Sequence, residues 1–373
     1  MEYTELGRTG LAASRIGIGT EHLHGQPRET VQAVLRQAME AGVNYFDAVF
    51  SFPEYLDNLQ AAFRGSRERV LLAAHLGSGE KNGQYCKMRG VRQCEATFLN
   101  LLSRLETEYV DVLFLHNFNA VNDWERVAKP GSLLDLAVRL REEGRARFLG
   151  ISAHYPAVVE RAVDTGQVDI VMFPINLFGH AMPGKQALQD LCLQRNIGLV
   201  AMKPFGGGKL LVQRGTFRVP KYQTGGQAYK ARIDTEITPD RCLGYTLAQP
   251  GVSMALPGVR NSAELGAALH WLEATAEERD FGPLLSHFGR YEEGICVYCN
   301  PCLPCPVVID VAEVNRLLDA AATGLTPALR GAYDALASQA SACTACGVCT
   351  QRCPFGVDVV PRMRQAAAIF EGA

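Results

Sequence analysis

Short apolar runs alternate with longer amphipathic stretches from about Ser14 to residue 275. The runs occupy residues 16–19, 45–47, 70–74, 110–115, 148–152, 169–173, 199–202 and 252–256. Most are continuous rather than alternating, as expected of strands buried on both faces of a parallel sheet. Between them, residues 29–41, 92–106, 133–143, 186–196 and 262–273 carry apolar side chains at helical spacing. Gly42, Gly144 and Gly198 follow three of these stretches and read as left-handed caps before the next strand. Eight strand-then-helix units predict an α/β fold, a closed (β/α)8 barrel, with a doubly wound open sheet as the competing arrangement. One connection, residues 209–239 after strand 7, is polar and too long for a turn, so it reads as a lid or binding loop over the barrel face.

The pattern changes near residue 285. Of twelve cysteines, Cys86, Cys94, Cys192 and Cys242 are scattered, while the other eight fall between Cys296 and Cys353. This divides the chain into a barrel over residues 1–284 and a small helical domain over 285–373. The first cysteine run is Cys296, Cys299, Cys302 and Cys305, followed by Pro306; the second is Cys343, Cys346, Cys349 and Cys353, followed by Pro354. A Cys at every third position wraps a short chain around one corner of an iron–sulfur cubane. The second run has the bacterial ferredoxin spacing, C-x2-C-x2-C-x3-C-P; the first has two residues before its last Cys. Structural zinc is the alternative, but its ligands come in pairs separated by longer loops. In two-cluster ferredoxins the fourth Cys of each run ligates the other cluster. By that analogy Cys296, Cys299, Cys302 and Cys353 hold one four-iron, four-sulfur cluster, and Cys343, Cys346, Cys349 and Cys305 hold the other. A helical segment at 311–321 and a stretch at 327–342 space the runs apart.

Residues just past the strand ends face the mouth of a barrel, where active sites sit. These are Asp47, His75, His116, Ser152 with His154, Asn176, Lys203 with Gly206, Gly207 and Gly208, and Gly258 with Arg260. An Asp and two His on one face suggest proton transfer, with Asp47, His75 and His116 as the catalytic candidates. Loops after strands 7 and 8 often hold a phosphate, so Lys203, the three glycines, Gly258 and Arg260 are candidates to seat a nicotinamide or flavin cofactor. Tight turns that need Gly are the other reading of that loop.

The chain has 373 residues, 47% of them hydrophobic, and a net charge of −2, so neither a nucleic-acid nor a membrane partner is expected. The segment Met1-Glu2-Tyr3-Thr4-Glu5 lacks the features of a signal peptide, and no apolar run approaches the roughly 18 residues that span a bilayer. A cytoplasmic protein with reduced thiols is the expectation.

Several stretches together resemble the aldo/keto reductase family, specifically its members with a C-terminal ferredoxin-like dicluster domain. They are Glu-Leu-Gly-Arg-Thr-Gly at 5–10, Gly-Val-Asn-Tyr-Phe-Asp at 42–47, Asp-Val-Leu-Phe-Leu-His at 111–116, and Ala-Met-Lys-Pro at 201–204, with 144–152 and 249–258 also similar. The resemblance implies a catalytic set of Asp, Tyr, Lys and His. Asp47 and His116 occupy two of those places, but Phe52 stands where the Tyr is expected and His75 where the Lys is. Ser152 matches the serine that helps seat the nicotinamide carboxamide, while the neighbouring Asn is replaced by Ala153. The expected function is an iron–sulfur oxidoreductase that moves electrons between two clusters and a small organic substrate at the barrel mouth. NADP(H) or a flavin would serve as cofactor and an external electron carrier as partner. A non-redox lyase or hydrolase using Asp47, His75 and His116, and an electron-transfer protein with an altered barrel, are the alternatives.

Overall fold

The computed structural model describes residues 1–211, 215–219, 229–233, 235–288, 294, 296, 298, 300–322, 324–353 and 355–372. Eight parallel strands pair in chain order: β1 (Ile18–Gly19), β2 (Tyr45–Ala48), β3 (Leu71–Leu76), β4 (Val110–Phe118), β5 (Ala146–Ala153), β6 (Ile170–Pro174), β7 (Gly198–Met202) and β8 (Val252–Leu256). Parallel bridges from Ile16 to Ala255 and from Gly19 to Gly258 join the first strand to the last. The sheet is therefore a closed barrel rather than an open one.

A helix follows every strand: α1 (Arg28–Glu40), α2 (Pro53–Phe63), α3 (Val91–Arg104), α4 (Leu133–Glu142), α5 (Pro156–Val163), α6 (Lys185–Gln194), α7 (Pro239–Leu247) and α8 (Ser262–Leu269). The packing follows the periodicity. Helix α1 buries Val31, Val34, Leu35 and Ala38, one stripe at spacings of three and four. Proline opens α2, α5 and α7, where its missing N–H costs nothing, and the side chains of Thr238 and Asn261 cap α7 and α8.

The barrel interior is filled by Tyr45, Phe114, Met172, Val200 and Met254, with Leu6 and Leu11 packed into the same cluster from the N-terminal hairpin of Tyr3–Glu5 and Ala12–Ser14. Each such side chain contributes about 1.5–3 kcal/mol on full burial. Space is tight enough that a Cβ on Gly150 would stand 2.4 Å from the Phe114 ring.

Two expectations need correction. Gly42 and Gly144 do take left-handed caps, at φ 89° and 75°, but Gly198 opens β7 instead, and Asn196 takes the left-handed position at φ 48°. Gly198 is glycine because a Cβ would meet the Leu6 backbone at 2.9 Å. The connection after β7 forms an antiparallel pair, Gly215–Val219 with Tyr229–Ile233, while 212–214, 220–228 and 234 lie outside the described residues.

The chain divides into two compact units. One comprises Met1–Glu80, Lys87–Arg214 and Asp234–Tyr291, and the other Lys81–Cys86, Gly215–Ile233 and Glu292–Ala373. The antiparallel pair thus groups with the second unit, not with the barrel. That unit also contains α9 (Val311–Ala321), α10 (Pro327–Asp334), α11 (Val348–Arg352) and α12 (Val359–Phe370). Helix α9 spans the residues that the sequence pattern predicts. It packs its buried Val314, Leu317 and Leu318 in a core that includes Met363, Ala366 and Phe370 of α12. Tyr333 of α10 stacks on Phe370 with ring centroids 4.3 Å apart.

Candidate functional site

Asp47, His75 and His116 stand near the ends of β2, β3 and β4, three adjacent strands, and all are buried. The structure joins them in a line. Asp47 Oδ1 lies 2.8 Å from His75 Nε2, and His75 Nδ1 lies 2.8 Å from His116 Nδ1. A carboxylate only accepts, so the His75 Nε2 proton donates to Asp47. The two facing Nδ1 atoms must then share one proton. With His75 neutral, that proton belongs to His116. A proton received at His116 Nε2 can displace it onto His75, where the imidazolium lies against the Asp47 carboxylate.

The surroundings favour the neutral form of His116. Burial holds its imidazole well below the usual range near 6.5, aided by neighbouring positive charge, that of Arg89 and Lys87 included. His154, just past β5, is likewise held well down by burial, with Lys203 and Lys87 adding to the effect. Its Nδ1 lies 2.9 Å from the Asn119 side-chain oxygen. Arg89 is anchored by Asp123 at 2.9 Å and lies over the Phe118 ring. Lys87 and Arg89 come from the end of a hairpin, Ser78–Lys81 with Gln84–Lys87, inserted after β3. Sequence reasoning missed both, because nothing in so short a polar segment marks it as returning toward the strand ends.

The cofactor candidates fall into two groups. Ser152 is buried in β5. The Asn176 amide donates to the Lys203 carbonyl at 2.9 Å and its oxygen accepts from the Gly179 N–H, which ties the ends of β6 and β7 together. The residues Gly206, Gly207 and Gly208 all have positive φ, and the amides of Gly206 and Gly208 return to the carbonyls of Lys203 and Phe205. These glycines therefore make a tight turn, and a Cβ on Gly206 would stand 2.7 Å from Phe178. Lys203 and Arg260 both act on the His22 imidazole, which is lowered mainly by burial, and Gly258 lies against the same ring. Each cation has a carboxylate: Lys203 lies 3.6 Å from Glu21, and Arg260 lies 2.9 Å from Glu264.

Near Asp47, the Tyr55 hydroxyl pairs with Thr20, whose own hydroxyl donates to the Asp47 carbonyl at 2.6 Å. Burial raises the Tyr55 phenol far above its ordinary value. Phe52 is covered by His24, stacked parallel with centroids 4.1 Å apart.

In the second unit the cysteines line two cavities. One encloses about 380 Å³ of space free of protein atoms, partly open to solvent, and is walled by Cys302, Cys305, Cys343, Cys346 and Cys349. The other encloses about 330 Å³ and is walled by Cys296, Cys302 and Cys353. Cys299 lies outside the described residues. Among the described residues no three His, Cys, Asp or Glu converge as ligands of a single ion. The buried Cys192 is of another kind, since burial pushes its thiol up to about 12 and makes it unreactive.

The family model of the aldo/keto reductase family matches residues 15–286. The chain belongs to the aldo/keto reductase family. Among curated proteins it is 26% identical over 229 residues to Probable aldo-keto reductase 1 of Glycine max, covering 57% of this chain and 63% of that protein's length. It is 23% identical over 321 residues to the aldo-keto reductase YhdN of Bacillus subtilis, covering 77% of this chain and 94% of that one. Among solved structures, aldo-keto reductase AKR11C1 from Bacillus halodurans in its holo form superposes with a TM-score of 0.64 at 20% identity. That likeness covers 78% of this chain and 97% of the other, and at such identity it speaks for the fold. These relatives place the chain in a family of oxidoreductases. Residues after 286 lie beyond the matched model.

Within this aldo/keto reductase barrel, Phe52 is a covered phenyl ring and the His75 imidazole stands between Asp47 and His116. Tyr55, the nearest phenol in sequence, is engaged by Thr20.

Proposed function

We propose that the protein is an iron–sulfur oxidoreductase in which two four-iron, four-sulfur clusters serve a reaction at the barrel mouth. The observation that carries this reading is the lining of the two cavities. One collects Cys343, Cys346 and Cys349 with Cys305 from the other run, the other collects Cys296 with Cys353, and Cys302 lines both. Crosswise sharing of the fourth ligand is the two-cluster ferredoxin arrangement. The donor set fits the group: all ligands are thiolates, and most of the remaining wall is apolar, including Val307, Ile309, Val348 and Val357. Each thiolate of a cubane binds its own iron, so the four stand farther apart than ligands of one ion, which agrees with walls around a cavity rather than a point. A bound cluster supplies one-electron transfer.

At the mouth, His116 passes a proton to or from the oxygen of a carbonyl or alcohol, and His75 with Asp47 holds its tautomer and takes up the resulting charge. NADP(H), the usual cofactor of the family, is the proposed hydride carrier. Ser152 and Asn176 would seat its nicotinamide, and Lys203, Gly258 and Arg260 would hold its phosphates.

Protein prepared without oxygen should contain about eight iron and eight sulfide per chain, following from two four-iron clusters. Cys353→Ser should remove the cluster whose other ligands belong to the first run, and halve the iron. Stoichiometric zinc without sulfide would end this reading.

A further inference from the structure

Arg362 of α12 is 2% exposed and is the largest fully buried side chain among the described residues. Placing a guanidinium in the interior costs several kcal/mol unless well-placed partners compensate. Its Nη2 donates to Asp319 Oδ1 at 2.8 Å and to the Asn315 carbonyl at 3.4 Å, while Nε donates to the Asn315 side-chain oxygen. The other Asp319 oxygen accepts from the Tyr298 hydroxyl at 2.8 Å. Tyr298 and Asn315 both line the cavity walled by Cys296, Cys302 and Cys353. An ion pair between a buried guanidinium and a half-buried carboxylate therefore stands one side chain behind that cavity, bonded to two residues of its wall.

The other cavity is supported differently: Arg352 Nη1 donates to the carbonyl of Pro304 in its wall at 3.0 Å. Apart from its cysteines, the only polar side chain in its lining among the described residues is Thr344. Helix α12 divides its residues accordingly: Val359 lines the first cavity, and Val360 and Met363 line the second.

Resting on the reading that this unit holds two clusters, we propose that the Arg362–Asp319 pair tunes the reduction potential of the cluster held by Cys296, Cys299, Cys302 and Cys353, and that cluster far more than the other. A cubane with four thiolates is negatively charged, and its reduction adds one electron and no proton. Nearby fixed charges in a low-dielectric interior bias that step, a cation in favour and an anion against. In the intact pair the two effects largely cancel. Removing one partner exposes the other, so the two single substitutions act in opposite directions.

The test is a dithionite titration of the full-length, reconstituted protein in mediated solution, with each cluster's one-electron reduction followed by electron paramagnetic resonance. Cys346→Ala, which removes a ligand of the other cluster, identifies the signals. At a fixed ambient potential, Arg362→Met should lower the reduced-to-oxidised ratio of the assigned cluster about tenfold, equivalent to 59 mV for one electron. Asp319→Asn should raise the ratio by a similar factor, and the double variant should return close to wild type. The other cluster should move much less in all three.

Equal shifts of both clusters, shifts of one sign in both single variants, or no shift would overturn the proposal. If Arg362→Met fails to fold, Asp319→Asn decides by itself, since an unchanged potential there is equally fatal. A wild-type protein with no cluster signal would defeat the underlying assignment, whereas signals that ignore Arg362 and Asp319 would defeat only this inference.

Discussion

Acidification tests whether the barrel holds His116 and His154 as neutral imidazoles. Both are buried, and burial together with Lys87 and other neighbouring charges keeps each well below the ordinary value. In the unfolded chain each titrates near 6.5. Between that value and the depressed native one, the unfolded state binds a proton that the native state does not. Stability therefore rises with pH through this window and falls as pH drops below about 6.5. The limiting slope is about 1.4 kcal/mol per pH unit for each histidine. Over the interval from pH 6.5 to 5.0 that slope bounds the loss at about 2 kcal/mol per histidine, against the 5–15 kcal/mol typical of a folded protein. Carboxylates titrate near 4 and act mainly below this window.

The assay is urea denaturation at pH 7.5, 6.5 and 5.0, followed by tryptophan fluorescence. The chain has two tryptophans, Trp124 and Trp271, and both belong to the barrel unit, so the signal reports that unit. His154→Gln and His116→Gln should each be less stable than wild type at pH 7.5, yet each should lose less stability on acidification, the rest being carried by the other of the pair and by His22, His24 and His180, which burial also lowers. Variants that lose stability with acid as steeply as wild type would refute the reasoning, because the imidazoles would then already be charged in the native barrel.

Two further outcomes follow from the altered mouth. The wild type should not reduce simple aldehydes with NADPH at the rates typical of enzymes, about 1 to 1,000 per second, because Phe52 has no proton to give. Combining Phe52→Tyr with His75→Lys, the family's residue types, should raise that rate by roughly 100-fold or more, and a fast wild type in a spectrophotometric NADPH assay would contradict this. In a fluorescence titration, Arg260→Ala should weaken NADPH more than NADH, while Glu264→Gln, by releasing the guanidinium from its ion pair, should tighten NADPH selectively. Equal effects on both cofactors would remove Arg260 from the phosphate site.

Much of this protein is written locally in its chain. All eight barrel strands were legible because each is a short apolar run, and α9 was legible because its buried positions recur at helical spacing. The cysteine runs were legible as runs, since each lies within a dozen residues of sequence. Asp47, His75 and His116 could be found individually, as chemistry-bearing residues just past apolar runs. Their order could not, because the 2.8 Å contact between His75 and His116 depends on two neighbouring strands facing their side chains toward one another. Closure of the barrel likewise required Ile16 and Ala255 to meet from opposite ends of the domain. The direction of Tyr55 was set by Thr20, the cap at Asn196 by the approach of Leu6 to Gly198, and the burial of Arg362 by the packing of α12 with α9. Periodicity records which face of an element is apolar, but not what another element will place against it. Those contacts exist only once distant segments pack, so the tertiary structure alone decided them.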